Sequence, residues 1–351
     1  MPGGEYLSRA APLVRASGGG VTPVPIPNTA VKAPRGDDTA FKSAGKQRGA
    51  NRFFQRPPGP KDPGAFFRPG APGRPETPAI TSFGATTMEH FPLNDKAAFI
   101  SDMDGVVYHG NRVLPGTVDF VKWLEEHGKH YLFLTNSSEH TPRELSVKLS
   151  DMGVTVDPSH FYTSAQATAS FLAKQRPGAR CYAIGEAGLY NALYEAGLTM
   201  SDTDPDYVVM GETRTYNYER IEKAVWLILN KGARLIGTNP DMTGPKEQGI
   251  VPATGALIAP IELATGSKAY FIGKPNPLMM RHGLHRIKAD VHETVMIGDR
   301  MDTDVIAGIE ADLDTVLVLS GVTAEADLVR FAYRPTYVMR GLDELVARLE
   351  E

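Results

Sequence analysis

Four short motifs, each following an apolar run, gather groups that could serve as nucleophile, proton donor, metal ligand and anion clamp. Asp102-Met103-Asp104-Gly105 comes directly after residues 97–101. Two carboxylates two residues apart, leaving a strand end together, can supply a nucleophile, a proton donor and a metal ligand at short range. Gly105 lets the chain turn with its N–H groups facing inward. The same pair also reads as ordinary turn or cap aspartates, and Val106 at the fifth loop position excludes an EF-hand.

Thr135-Asn136-Ser137-Ser138 follows the run 131–134 and offers hydroxyl and amide donors to an oxyanion without adding charge. A plain loop approaching a helix has the same composition. Its match to the glycosylation pattern falls at a buried strand end and is a chance one. Val295-Met296-Ile297-Gly298-Asp299, followed by Asp302 and Asp304, brings a third carboxylate. Beside the first two it would complete an oxygen site for Mg2+, which takes one or two carboxylates, waters and substrate phosphate. Asp304 by itself reads equally as a helix N-cap. In Ile272-Gly273-Lys274-Pro275 a lysine fixed between Gly and Pro at a strand end reads as a phosphate clamp rather than solvated surface.

Positioning these groups requires strand ends that face one way. The apolar runs 97–100, 131–134, 181–184, 207–210, 234–237, 270–272, 294–297 and 315–319 have the continuous hydrophobicity of strands buried on both faces. Helical spacing separates them over 117–127, 188–196, 218–230, 277–288 and 304–309. Thr141-Pro142-Arg143-Glu144 is a helix start, with a capping Thr, Pro at the first position and Glu three residues after the cap. Strands alternating with helices predict α/β architecture with parallel sheets, in which chemistry collects at the carboxyl ends of the strands.

The 351 residues carry 37 Lys+Arg against 41 Asp+Glu, and 42% are apolar. Residues 1–90 differ from the rest: 14 Pro, 13 Gly and a net +6, against −10 for the remainder. That composition predicts a basic, disordered extension. It contains two similar stretches, Phe53-Phe54-Gln55-Arg56-Pro57 and Phe66-Phe67-Arg68-Pro69, which could serve an unknown partner of the tail. No apolar run reaches the roughly 18–20 residues of a membrane helix. The single Cys181 excludes an internal disulfide and fits a reducing, cytoplasmic setting. Arg9, Arg15, Lys32 and Arg35 within 1–36 leave an organelle transit peptide as the alternative. The acidic body argues against specific nucleic-acid binding.

In this order and all at strand ends, the motifs Asp102-Met103-Asp104-Gly105, Thr135-Asn136, Lys274 and Gly298-Asp299 with Asp304 resemble those of the haloacid dehalogenase superfamily. Phe161-Tyr162-Thr163-Ser164-Ala165, Gly211-Glu212-Thr213-Arg214, Thr238-Asn239-Pro240-Asp241 and Ala253-Thr254-Gly255-Ala256-Leu257 resemble its NagD-like class IIA branch, over residues 95–350. The resemblance implies a Rossmann-like core in two parts, 91–174 and 268–351, interrupted by a C2-type α/β cap over 175–267. It implies a phosphomonoester hydrolase using Mg2+ and an aspartyl-phosphate. Asp102 would be the nucleophile and Asp104 the general acid and base. Asp102, Asp104 (through its carbonyl) and Asp299 would hold the metal, with Asp304 in support. Gly105, Thr135, Asn136, Ser137 and Lys274 would bind phosphate, and Arg214, Asn239 and Asp241 would select the substrate. Nucleoside 5′-monophosphates are the substrate it suggests first, with phosphoglycolate, pyridoxal phosphate or sugar phosphates as alternatives. Homo-oligomers through the cap are a further implication. A catalytically weak module recruited through the basic tail is the competing reading, and the role of Asp302 stays open.

Overall fold

The computed structural model describes residues 91–246 and 249–351. The extension expected over residues 1–90 lies outside the described residues, as do its Phe-Phe-x-Arg-Pro stretches and the 1–36 segment.

The strand–helix alternation appears from Ala98 onward. Strand β1 (Ala98–Ser101) is buried at every position. It is followed by the hairpin β2 (Tyr108–His109) and β3 (Arg112–Val113), α1 (Thr117–Glu126), β4 (His130–Thr135), α2 (Pro142–Asp151), β5 (Phe161–Thr163) and α3 (Ser164–Gln175). A second series contains β6 (Arg180–Ile184), α4 (Ala187–Glu195), β7 (Thr199–Met200), β8 (Tyr207–Met210), α5 (Tyr218–Lys231) and β9 (Arg234–Gly237). It continues through a hairpin, β10 (Thr243–Lys246) and β11 (Gly249–Pro252), then α6 (Thr254–Thr265) and β12 (Tyr270–Phe271). The chain ends with α7 (Pro277–Ile287), β13 (Thr294–Gly298), α8 (Ile306–Glu310), β14 (Asp314–Val318), β15 (Tyr337–Met339) and α9 (Leu342–Leu349).

Two parallel sheets result. The first has six strands in the order β15-β14-β13-β1-β4-β5, and the second five in the order β12-β9-β8-β6-β7. The strand expected over 270–272 pairs with β9, so it joins the second sheet and lies past the expected 267/268 boundary. Side chains alternate across the first sheet, as the pleat requires. Phe99, Phe133 and Val295 pack with α1 and α9 on one face, where Phe99 meets Phe120 and Trp123 edge to face at 6.0 and 5.7 Å. Ile100, Leu132 and Met296 point to the other face and share one continuous apolar cluster with Leu189, Val209 and Ile236 of the second series. The far face of the second sheet has its own core around Val208, Leu227 and Ile258. Helix α2 begins as its sequence predicts: the Thr141 side chain accepts from Glu144 N–H, and the Glu144 carboxylate accepts from Thr141 N–H. No described helix is long and apolar enough to cross a membrane.

Candidate active site

Register brings the first three motifs together. β1 runs parallel between β13 and β4, with Ser101 level with Ile297 on one side and Phe133 on the other. Asp102, Asp299 and Thr135 therefore emerge side by side at the carboxyl ends, the crevice where open α/β sheets bind ligands.

Lys274 is the centre of the group and is 2% exposed. Its ammonium lies 2.5 Å from Asp102 Oδ1 and 2.7 Å from Asp304 Oδ1, and donates to the Leu134 carbonyl at 3.2 Å. The ammonium thus donates hydrogen bonds to Asp102 and the Leu134 carbonyl and forms an ion pair with Asp304. Burial alone would lower the Lys274 pKa, but Asp102 and Asp304 outweigh it and hold the lysine above its ordinary value. Burial also raises Asp102, against the pull of Lys274, and pushes Asp304 up to about 6. Asp299 is raised well above its ordinary value by burial and by the charges of Asp304 and Asp102.

Carboxylate oxygens of Asp102, Asp299 and Asp304 all lie within 4.8 Å of one another. Asp299 Oδ2 accepts from Val322 N–H at 2.7 Å, whereas its buried Oδ1 has no hydrogen-bond partner among the described residues. Three clustered hard oxygen donors, one with unused capacity, suit a small divalent cation such as Mg2+. The trio shares Asp102 and Asp299 with the expected ligand set. The Asp104 carboxylate is not one of the three; it is 36% exposed, 3.8 Å from His109 Nδ1, and the carbonyl expected to serve is a main-chain group. Asp304 was expected only in support, yet its carboxylate joins the cluster because the wide turn 301–305 precedes α8 and turns it inward. For the same reason it is not the N-cap of α8. Gly105 is required where it stands: its φ is +85°, and a Cβ there would come 2.5 Å from Asp299 Oδ2.

A cavity of about 170 Å³ opens beside Lys274. Asp102, Asp104, Thr135, Asn136, Ser137, Lys274, Asp299 and Asp241 line it. Gly105, Asp304, Arg214 and Asn239 do not. Arg214 is exposed, and its main-chain N–H donates to Glu186 Oε1 at 2.8 Å. Asn239 is fully buried and donates to Glu212 Oε1 at 2.6 Å and to the Asn136 carbonyl at 2.8 Å. Asn136 lines the cavity, but its side chain is occupied: Oδ1 accepts from Lys274 N–H at 2.7 Å, and Nδ2 donates to the Lys274 carbonyl and to Asp241 Oδ2.

The wall also contains residues beyond the expected site set, one of them, Glu212, from within a quoted motif. Tyr108 and Lys148 form one side, with the Lys148 ammonium 3.9 Å from the Tyr108 ring centroid. His140, Glu212, Arg300 and the β10–β11 hairpin form others. Arg300 could have been found from its position directly after Gly298-Asp299. Glu212 accepts from both the N–H and the hydroxyl of Ser138, and burial raises its pKa.

This arrangement of a lysine-paired carboxylate, a metal-capable trio and an exposed second carboxylate over a small polar cavity suits nucleophilic phosphoryl transfer. Comparison with known proteins finds phosphatases among the relatives. The haloacid dehalogenase-like hydrolase family profile matches residues 99–199, and a second, HAD-hydrolase-like profile matches 271–345. The chain is 48% identical over 248 residues to the dihydroxyacetone phosphatase of Corynebacterium glutamicum strain R, covering 71% of this chain and 90% of that one. It is 38% identical over 260 residues to the acid sugar phosphatase of Staphylococcus saprophyticus, covering 74% and 100%. The solved structure of NagD from Escherichia coli K-12 superposes with a TM-score of 0.67 at 41% identity, covering 71% of this chain and 98% of that one. The chain thus belongs to the haloacid dehalogenase-like hydrolases, among their NagD-like phosphatases.

Proposed function

We propose that the chain is a Mg2+-dependent phosphomonoesterase that works through an aspartyl-phosphate on Asp102 and prefers short polyol or sugar phosphates. The observation that carries the chemistry is the Lys274 ammonium, buried between Asp102 and Asp304 beside Asp299. Its charge opposes the burial that raises Asp102, and so favours the ionised, nucleophilic carboxylate.

In the first half-reaction an Asp102 carboxylate oxygen bonds to phosphorus, the ester P–O bond breaks and Asp104 gives its proton to the leaving alkoxide. In the second, Asp104 takes a proton from water, the water oxygen bonds to phosphorus, the Asp102 O–P bond breaks and inorganic phosphate leaves. Asp104 stands at the exposed edge, where the leaving group departs and water enters. Asp102, Asp299 and Asp304, with the Asp104 carbonyl, would hold Mg2+, which supplies positive charge against the phosphate oxygens. Lys274, Thr135 and Ser137 orient the same oxygens, whereas the N–H groups of Gly105, Val106 and Val107, expected to help, donate to the Tyr108 and Met103 carbonyls. Asn136 helps through its backbone and by fixing Lys274.

Residues 175–267 act as the cap, a reading supported by the separate sheet that β6, β8 and β9 build. The substrate preference rests on the cavity. At about 170 Å³ it lies below the roughly 300 Å³ at which drug-sized ligand pockets begin, so a short leaving group suits it better than a nucleoside. Two of the relatives above are named for dihydroxyacetone and acid sugar substrates, in the same direction, while NagD of Escherichia coli is named a ribonucleotide monophosphatase. The buried, lone Cys181 fits a cytoplasmic enzyme.

Initial rates on triose, glycerol and hexose phosphates, phosphoglycolate and nucleoside 5′-monophosphates, with Mg2+ or with EDTA, test this reading. The polyol and sugar esters should lead in kcat/KM, and EDTA should abolish turnover. Leadership by nucleotides would overturn the substrate class and leave the chemistry standing. Asp104→Asn, given 4-nitrophenyl phosphate (whose leaving group needs no proton), should accumulate phosphate on the protein by intact mass. Its absence would overturn the covalent route.

A further inference from the structure

Asp302, the carboxylate without an assigned role, has a partner. Arg300 is gripped fork to fork by it, Nε to Oδ1 and NH2 to Oδ2, both at 3.0 Å. The remaining nitrogen of that guanidinium lies 3.4 Å from Asp241 Oδ1. Asp241 follows β9, in the second sheet, so this pair crosses from one sheet to the other. The other oxygen of Asp241 accepts from Asn136 Nδ2 at 2.9 Å, at the end of β4 in the first sheet. Asn136 in turn holds both main-chain groups of Lys274. A continuous line therefore runs from Asp302, 58% exposed, to the buried lysine between the catalytic carboxylates.

Exposed ion pairs contribute little, but the side chains of Asp241 and Arg300 are only 13% and 25% exposed. Removing either would leave the other a largely desolvated charge. Both oxygens of Asp241 already have partners, which leaves it poorly placed to read a substrate hydroxyl.

We propose that Asp241 and Arg300, braced by Asp302, form a latch that joins the second sheet to the first and, through Asn136, sets the position of Lys274. Asp241 is then a positioning residue rather than a substrate ligand. The inference rests on the phosphatase reading above and deepens it.

A double-mutant cycle tests it. Steady-state rates of the full chain, Asp241→Asn, Arg300→Gln and the double variant are measured on 4-nitrophenyl phosphate, glycerol phosphate and a nucleoside 5′-monophosphate. Asp241→Asn keeps the size and an oxygen for Asn136 but removes the charge. Each single variant should lose about tenfold in kcat, with KM little changed and the same loss on every substrate, and the double should lose only about tenfold in total rather than about a hundredfold. Amides of residues 136–140 and 238–242 should exchange hydrogen faster in both single variants. Asp302→Asn, a surface change, should move both readouts in the same direction by less. Additive losses, a KM rise confined to hydroxyl-bearing substrates, or unchanged exchange would overturn the latch. If the unaltered chain hydrolyses none of the esters, the phosphatase reading fails by itself, while the exchange cycle still reports on the latch.

Discussion

The two sheets are both parallel, and loops at the carboxyl ends of both reach the same cavity, yet they use those ends differently. The ends of β1 and β13 deliver Asp102 and Asp299, joined in the trio by Asp304, and these carboxylates share a buried site with one ammonium, from Lys274. The ends of β8 and β9 deliver Glu212, Asn239 and Asp241, and these bind the first sheet's own loops: Glu212 holds Ser138, Asn239 the Asn136 carbonyl and Asp241 the Asn136 amide. The first sheet concentrates the clustered carboxylates; the second supplies groups satisfied by contact with the first and, after β12, the Lys274 that neutralises them. A buried acid is therefore a sign of chemistry in the first set and of attachment in the second, although the residue types are the same.

Three substitutions probe that contrast. Asp102→Asn removes the proposed nucleophile and should lower kcat by about 10⁴-fold or more while the folded state persists, read by steady-state kinetics beside circular dichroism. Survival of more than a hundredth of the activity would place the reacting charge elsewhere. Gly273→Ala acts on the attachment. A Cβ there would come 2.6 Å from Asn136 Oδ1 and 2.7 Å from the Thr238 carbonyl, so the two sheets' loops would be forced apart. Overpacking of this kind costs about 1–3 kcal/mol, measurable by denaturant titration, and activity should fall with it.

Glu212→Gln should have the smallest effect, and one that depends on pH. Burial holds the Glu212 carboxyl above its usual 4.5 in the folded protein, so the fold favours the protonated form. Its favourable contribution is complete below the unfolded value and is lost as pH rises through the folded one. Relative to the unaltered chain, the glutamine variant should gain stability as pH increases from about 4.5 toward neutrality. A constant difference across that range would mean that Glu212 titrates normally.

The charged set was legible because each member ends a continuous apolar run, a signal carried by five or six neighbouring residues. Strands 207–210 and 234–237 were read to the residue for the same reason. Helix α3 was not, because it is packed between the first sheet and α4. Ala165, Ala167, Thr168, Ala169 and Leu172 are all buried, and no one-sided stripe of large residues marks it. The β10–β11 hairpin was missed too: Pro245, Gly249 and exposed Ile250 show no period-two pattern, and the hairpin is positioned by its neighbours, with Ala253 N–H donating to the Met242 carbonyl. The Arg300–Asp241 contact is between loops of different sheets, so no local spacing could announce it. Arg214 had the right composition for a substrate ligand, but only tertiary structure shows that its loop turns toward Glu186.

The strand order has a consequence for how the chain acquires its shape. β1, which carries Asp102, is an interior strand whose two neighbours are distant from each other in sequence: Ala98 pairs with His130 and also with Thr294. During synthesis its β4 edge can close early, but its other edge stays open until β13 has emerged, after every strand of the second sheet. The second sheet, whose strands all fall between Arg180 and Phe271, has its partners at hand sooner. The nascent protein thus carries its attachment surface before its reactive one, and the interval in which β1 shows a bare hydrophobic edge is the time of greatest exposure to misassembly.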